Sequence, residues 1–282
     1  MNYKRVLTIQ DISCLGQCSM TIALPVLSAC GHETCILPTA MLSTHTGGFQ
    51  KPAVLQLASA MPGIREHWQR ENITFDAIYT GYLGSIHAIE ETEKIIDTLL
   101  APDGIVVVDP AMADNGKLYS GFDEAYMQAM AGLCRKADII LPNITEAAML
   151  TGLPYEENLT EVYIDSLLRE LHHPCTVLTG VGFCEEETGI AILDHGKRSD
   201  YRHRKLAKSC HGTGDLFASC FVGAMLRDKS LPESAKIAAD TVCSSIRETV
   251  SNPAHWYGVK FETALGQLME RLQEKGYGEF EK

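Results

Sequence analysis

The sequence predicts an α/β fold in which a mostly parallel central sheet is covered by helices on both faces, a three-layer α-β-α arrangement. Three observations carry this reading. Short β-branched runs recur along the chain with helix-length segments between them, the order expected of a parallel sheet with crossover helices. The runs are mostly not alternating, which marks strands buried on both faces. Only one late pair of runs breaks the strand–helix rhythm, as an antiparallel hairpin.

Taken in order, Val6–Gln10, Thr34–Leu37 and Ala77–Thr80 read as strands, each a compact apolar or β-branched run. A helix over Glu90–Leu100 follows, then a strand at Ile105–Asp109, a helix at Asp123–Arg135 and a strand at Asp138–Leu141. Next come a helix over Leu159–Leu171 and a strand at Thr176–Thr179. Ile190–Leu193 and Arg198–Arg204, joined through Asp-His-Gly-Lys, form the hairpin. An apolar helix spans Leu216–Leu226, and helical stretches at Glu233–Ser251 and Phe261–Lys275 precede a polar tail. No repeat, low-complexity block or linker interrupts the series, so residues 1–282 are expected to form one domain.

Bulk properties exclude several functions. The 282 residues carry a net charge of −12, and no basic block compensates it, which argues against nucleic acid as a partner. No apolar run approaches the roughly 20 residues needed to span a bilayer. The opening "MNYKRVLTIQD" enters a strand directly and lacks the apolar core of a signal peptide, so a cytoplasmic location is expected. The ten cysteines include no C-x-x-C pair and lie mostly in apolar surroundings. They read as reduced small hydrophobes rather than as a zinc or disulfide framework.

Ligands of open parallel sheets bind at the carboxyl ends of strands, so motifs that follow strands carry most weight. Gly212-Thr213-Gly214-Asp215 opens the late apolar helix. Adjacent helix N-terminal amides form an anion hole for a phosphoryl group in flight. Asp215, in the first turn, is placed to take the proton of an attacking hydroxyl, although a glycine turn with an acid complementing the helix dipole has the same sequence. In "VVVDPAMADNGKLY", Asp109 ends a strand and Asp114 follows a turn; both carboxylates can serve one magnesium ion, or the segment is simply a pair of turns. Asn143 and Glu146 in "LPNITEAAML" share a helix face and fit either a metal–phosphate role or a capping box. The loop "PTAMLSTHTGGF" offers His45 to stack on a substrate ring and Thr46 to hydrogen-bond it, the alternative being a plain surface loop. "IQDISCLGQCS" brings Asp11 to the end of the first strand. There is no G-x-x-x-x-G-K-[ST] P-loop, no G-x-G-x-x-G after the first strand and no protein-kinase H-R-D or D-F-G set.

In this order, "TIQDISCLGQCSMTIALPVLSACG", "LSTHTGGF", "TGYLGS", "DPAMADNGKLY", "PNITEAAMLTG" and "HGTGDLFAS" resemble the ribokinase-like superfamily, and within it the pyridoxal kinases, from about Val6 to Ala224. The resemblance implies a ribokinase-like fold and ATP-dependent phosphorylation of the 5′-hydroxymethyl group of pyridoxal, pyridoxine or pyridoxamine. It implies Asp215 as base and Gly212, Thr213 and Gly214 as anion hole. Asp109, Asp114, Asn143 and Glu146 would serve the metal–phosphate region, Thr179 and Thr213 would border the nucleotide, and Asp11, His45 and Thr46 would hold the vitamer. It further implies Mg2+, a monovalent cation such as K+, and a homodimer. Two departures stand out: Asp11 replaces a serine common in the family, and His211 before the glycines is similar to hydroxymethylpyrimidine kinases of the same superfamily. A hydroxymethylpyrimidine or sugar kinase is therefore the nearest alternative, and a catalytically silent B6- or nucleotide-binding protein the alternative from another class.

Overall fold

A computed structural model describes residues 3–206, 210–252 and 254–273. The strands are β1 (Arg5–Ser13), β2 (Glu33–Leu42), β3 (Val54–Gln56), β4 (Phe75–Thr80), β5 (Leu100–Val108), β6 (Ala113–Asp114), β7 (Lys117–Leu118), β8 (Ile139–Ile140), β9 (Cys175–Thr179), β10 (Glu187–Asp194) and β11 (Lys197–Arg204). The α-helices are α1 (Met20–Ala29), α2 (Met61–Arg70), α3 (Ile86–Leu99), α4 (Glu124–Cys134), α5 (Ile144–Thr151), α6 (Glu161–Glu170), α7 (Thr213–Met225), α8 (Leu231–Val250) and α9 (Leu265–Gln273). Nine of these strands form one sheet in the order β11-β10-β9-β8-β5-β4-β1-β2-β3. From β2 to β9 every neighbouring pair is parallel, and β3, β10 and β11 add antiparallel edges.

The unalternating strands are explained by where their side chains go. Val6, Ala77, Tyr79, Val107, Ile139 and Val177 point into one core with α1, α7, α8 and α9. Leu7, Ile9, Ile78, Val106, Val108 and Ile140 point into the opposite core with α2, α3 and α4. Leu178 and Ala191 pack under α5 and α6. Both faces are dry, so both parities of each strand are apolar.

The helix expected from Leu216 begins three residues earlier, at Thr213, because the glycine turn itself starts it. Two helices lie where the sequence indicated none. Helix α1 contains Pro25, a residue that removes an interior hydrogen bond and hides the pattern; α2 begins Met-Pro-Gly, a pair that reads as a turn although proline suits a first turn. Strand β5 starts five residues before the expected Ile105, and its pairing with β4 slips between Phe75 and Ala77 to take up the extra length. The last two residues of the helix expected over Phe261–Lys275, and the polar tail, lie outside the described residues.

Strand β1 has β2 on one side and β4 on the other, so the chain reverses its winding there. Such a switch point opens a crevice at the carboxyl ends of the two strands, and that edge carries the site.

Candidate active site

Helix α7 opens at Gly212, whose φ is +82°; a Cβ there would stand 2.0 Å from the Gln17 carbonyl oxygen. Both facts require glycine. The helical ladder begins with Leu216 N–H donating to the Gly212 carbonyl at 2.9 Å, so the preceding amides of Thr213 and Gly214 have no acceptor within the helix. Gly214 is exposed, and a Cβ on it would meet nothing within 4 Å. An anion can therefore approach this helix end closely.

Asp215 sits in the first turn with its carboxylate held by the Ser19 N–H and its own N–H; burial pushes its carboxyl up to about 6. Asp11, 5% exposed, accepts from the Ser13 hydroxyl at 3.3 Å and from the Ser19 hydroxyl, and burial raises it as well. Ser19 thus joins two carboxylates, and it does so at φ +51°, a left-handed conformation unusual for a non-glycine residue. Sequence reasoning missed it. Its signal was a serine directly before an apolar run, the signature of a helix N-cap, masked by Pro25.

On the other side of the crevice, Asp109 follows β5 and accepts from the Ala111 N–H. Burial raises it strongly, and the like charges of Glu146 and Asp215 add to this. Glu146 is 2% exposed and is pushed up to about 7, chiefly by burial. It accepts N–H bonds from Asn143 (2.9 Å), Met112 (3.1 Å) and Ala113 (3.4 Å). Asn143 returns the bond, accepting from Glu146 N–H at 2.9 Å and donating to the Ala113 carbonyl at 2.8 Å. The capping box is thus present, and it spends most of both side chains on backbone. Asp114 is exposed, in the β6–β7 turn, and accepts from the Asn115 backbone and side chain. Thr179 ends β9 and donates its backbone N–H to the Pro142 carbonyl, fixing the β9 end beside Asn143.

Asp11 acts on Asp215, and Asp215 and Glu146 act on Asp109, so the four carboxylates form a series of neighbours along the crevice; among the described residues no lysine or arginine ion-pairs with any of them. Among the described residues no three His, Cys, Asp or Glu side chains form a cage for a metal ion. What they do form fits magnesium in its nucleotide-bound role, where one or two carboxylates suffice and phosphate and water complete the shell.

His45 is buried. It accepts from Gly47 N–H through Nδ1 (3.0 Å), and Nε2 donates to the Tyr257 carbonyl. Phe49 packs against Trp256 with the rings tilted at 47° and their centroids 4.7 Å apart, and the His211 ring lies 5.0 Å from that of His45. Gly16, Gly47 and Gly48 leave room for these rings, since a Cβ on Gly16 would fall 2.2 Å from His45 and one on Gly47 2.5 Å from His211. The hydroxyl-rich loop is thereby pinned to residues 255–258 as an aromatic wall beside Asp11, with Thr46 exposed at its tip. The wall joins segments too distant in sequence to be read together. A separate cavity lined by Tyr3, Arg5, Glu33, Thr74 and Asp76 lies at the amino ends of the strands, where Arg5 already pairs with Glu33.

The family model described as phosphomethylpyrimidine kinase matches residues 24–259. The pyridoxal kinase PdxY of Actinobacillus pleuropneumoniae is 30% identical over 271 residues, covering 88% of this chain and 90% of that one. The crystal structure of pyridoxal kinase from Lactobacillus plantarum shares 33% identity and a TM-score of 0.88, over 95% of this chain and 98% of that one. A Bacteroides thetaiotaomicron protein described as a phosphomethylpyrimidine kinase, crystallised with pyridoxal, gives 32% identity and a TM-score of 0.89, over 95% and 96%.

Proposed function

The chain belongs to the phosphomethylpyrimidine kinase family and stands with the pyridoxal kinases of the ribokinase-like superfamily, and from that premise we propose how it phosphorylates a B6 vitamer with ATP. The observation that carries the mechanism is the junction of free helix amides at Thr213 and Gly214 with the half-buried Asp215.

Phosphoryl transfer needs in-line positioning and charge stabilisation more than covalent chemistry. The 5′-hydroxymethyl group of the vitamer meets Asp215, which takes its proton as the oxygen attacks the γ-phosphorus of ATP; the bond from that phosphorus to the β,γ-bridging oxygen breaks and ADP leaves. The amides of Thr213 and Gly214 receive the equatorial oxygens. Gly212 permits the turn that aims them. Asp11, His45 and Thr46 hold the ring, and Thr179, with Asn143, borders the nucleotide. Asp109 would hold the metal–phosphate group. Glu146 and Asp114 support it through their field and through water, since the carboxylate of Glu146 is committed to backbone N–H groups. Magnesium at this place supplies neutralisation of phosphate charge. A monovalent cation such as K+, a homodimeric assembly, a cytoplasmic location and a single domain carrying the whole reaction belong to the same reading.

A second reading, phosphorylation of hydroxymethylpyrimidine, is favoured by the description of the family model and by His211 beside the glycine turn. A coupled kinase assay across pyridoxal, pyridoxine, pyridoxamine and hydroxymethylpyrimidine decides. Turnover of a vitamer at kcat/KM at least tenfold above the pyrimidine is expected; the reverse order overturns the first reading.

A further inference from the structure

The reading above leaves unexplained why a ring pocket holds a buried acid. Resting on that reading, we infer that Asp11 selects substrate by charge: its carboxylate receives a protonated nitrogen of the vitamer.

Asp11 is 5% exposed, and its carboxylate accepts from the hydroxyls of Ser13 and Ser19 and from its own backbone N–H, donors that carry no charge. His45 lies close by, yet both its ring nitrogens are engaged, one by Gly47 N–H and one by the Tyr257 carbonyl. On the far side of Ser19 stands a second carboxylate, Asp215, which worsens the imbalance. Buried charges in proteins are normally paired or neutralised. Here the pocket supplies donors and aromatic surface, and the counter-charge is left to the ligand.

The backbone is arranged to keep the acid there. The β1–β2 ladder runs Gln10 opposite Pro38 and then Ile12 opposite Met41, so the register slips at Asp11 itself. Irregularities of this kind re-aim a side chain beside an active site. Ser19 is held at φ +51° while serving both carboxylates, so strain is accepted where it fixes their separation. Asp11 lies near the carboxyl end of β1, where β1 has β4 as a neighbour, and Tyr82 follows β4 close by. Burial raises the Asp11 carboxyl, and a cationic nitrogen beside it would lower it again.

Two nitrogens of a vitamer fit: the aminomethyl group of pyridoxamine and the ring pyridinium. Pyridoxine and pyridoxamine separate them, because they differ only in a hydroxyl against an ammonium at one arm. The experiment compares wild type with Asp11→Asn, which keeps the size and one acceptor oxygen but removes the charge, and with Asp11→Ser, which removes the charge in a shorter side chain and should lose the same factor. It measures kcat/KM for both vitamers and the thermal stabilisation each gives without ATP.

If the aminomethyl group is the partner, wild type prefers pyridoxamine. Asp11→Asn then removes about 10- to 100-fold from pyridoxamine alone, the scale of a charge-assisted hydrogen bond. If the pyridinium is the partner, both vitamers lose that factor, mainly through KM. Either pattern supports the inference. Values within about threefold of wild type for both vitamers, with unchanged thermal stabilisation, overturn it. If wild type phosphorylates neither vitamer, the functional reading fails instead. Asp11 is then judged by whether Asp11→Asn abolishes stabilisation by an aminopyrimidine, and an unaltered shift refutes the inference.

Discussion

Replacing Asp215 with asparagine should cripple turnover and raise the melting temperature together. The carboxyl titrates at about 6 in the folded chain against an ordinary value of 3.8. That difference of about two pKa units corresponds to about 3 kcal/mol of native-state penalty once the group is ionised. The sign follows from proton uptake. Between the two values the native state holds a proton the unfolded state has released, so this group's contribution is best below 3.8 and is lost as pH rises through about 6. Asparagine carries no such penalty and still accepts the Ser19 N–H. The variant should therefore melt about 5 °C above wild type at pH 7.5. The advantage should shrink to about half at pH 5, where Asp215 is mostly protonated in the native chain. Loss of the general base should cost about 10²–10⁴ in kcat, and wild-type kcat/KM should fall below pH about 6 as the base protonates. Scanning calorimetry of the ligand-free proteins at the two pH values, with a coupled assay, reads all of this. A variant that melts lower at pH 7.5, gains on acidification, or keeps kcat within threefold would refute the assignment of Asp215 as a half-buried base.

Other perturbations test the surrounding parts. Gly212→Ala places a Cβ against the Gln17 carbonyl at positive φ, so we expect destabilisation above about 2 kcal/mol and a clear loss of kcat; urea melts and kinetics check it, and near-normal values would remove the turn from the mechanism. Ser19→Gly relieves backbone strain but loses the hydroxyl, so it should melt no lower than Ser19→Ala while both raise KM for the vitamer; equal KM to wild type would make Ser19 merely structural. Chelation of divalent ions should abolish turnover while leaving the melting temperature within about 1 °C, because none of the described packing depends on a metal; retained activity would exclude the magnesium role.

Much of the fold was legible because its strands are buried on both sides, which stamps short apolar runs on the sequence. The helix at Met20–Ala29 was hidden by one proline, and with it went Ser19, whose role depends on a backbone angle no composition reveals. Asn143 and Glu146 carried two meanings in sequence, and the structure fills their hydrogen bonds as a capping box. His45 was found as a loop residue, but its partner Tyr257 lies 212 positions away, and such a contact exists only in three dimensions.

That distance bears on biosynthesis. A ribosome delivers β1 and the hydroxyl-rich loop early, yet the carbonyl that latches His45 and the indole that meets Phe49 emerge much later. The nascent polypeptide can assemble most of its sheet while the pocket proposed for the vitamer still lacks a side, so on that proposal catalytic competence is among the last properties the newborn enzyme acquires.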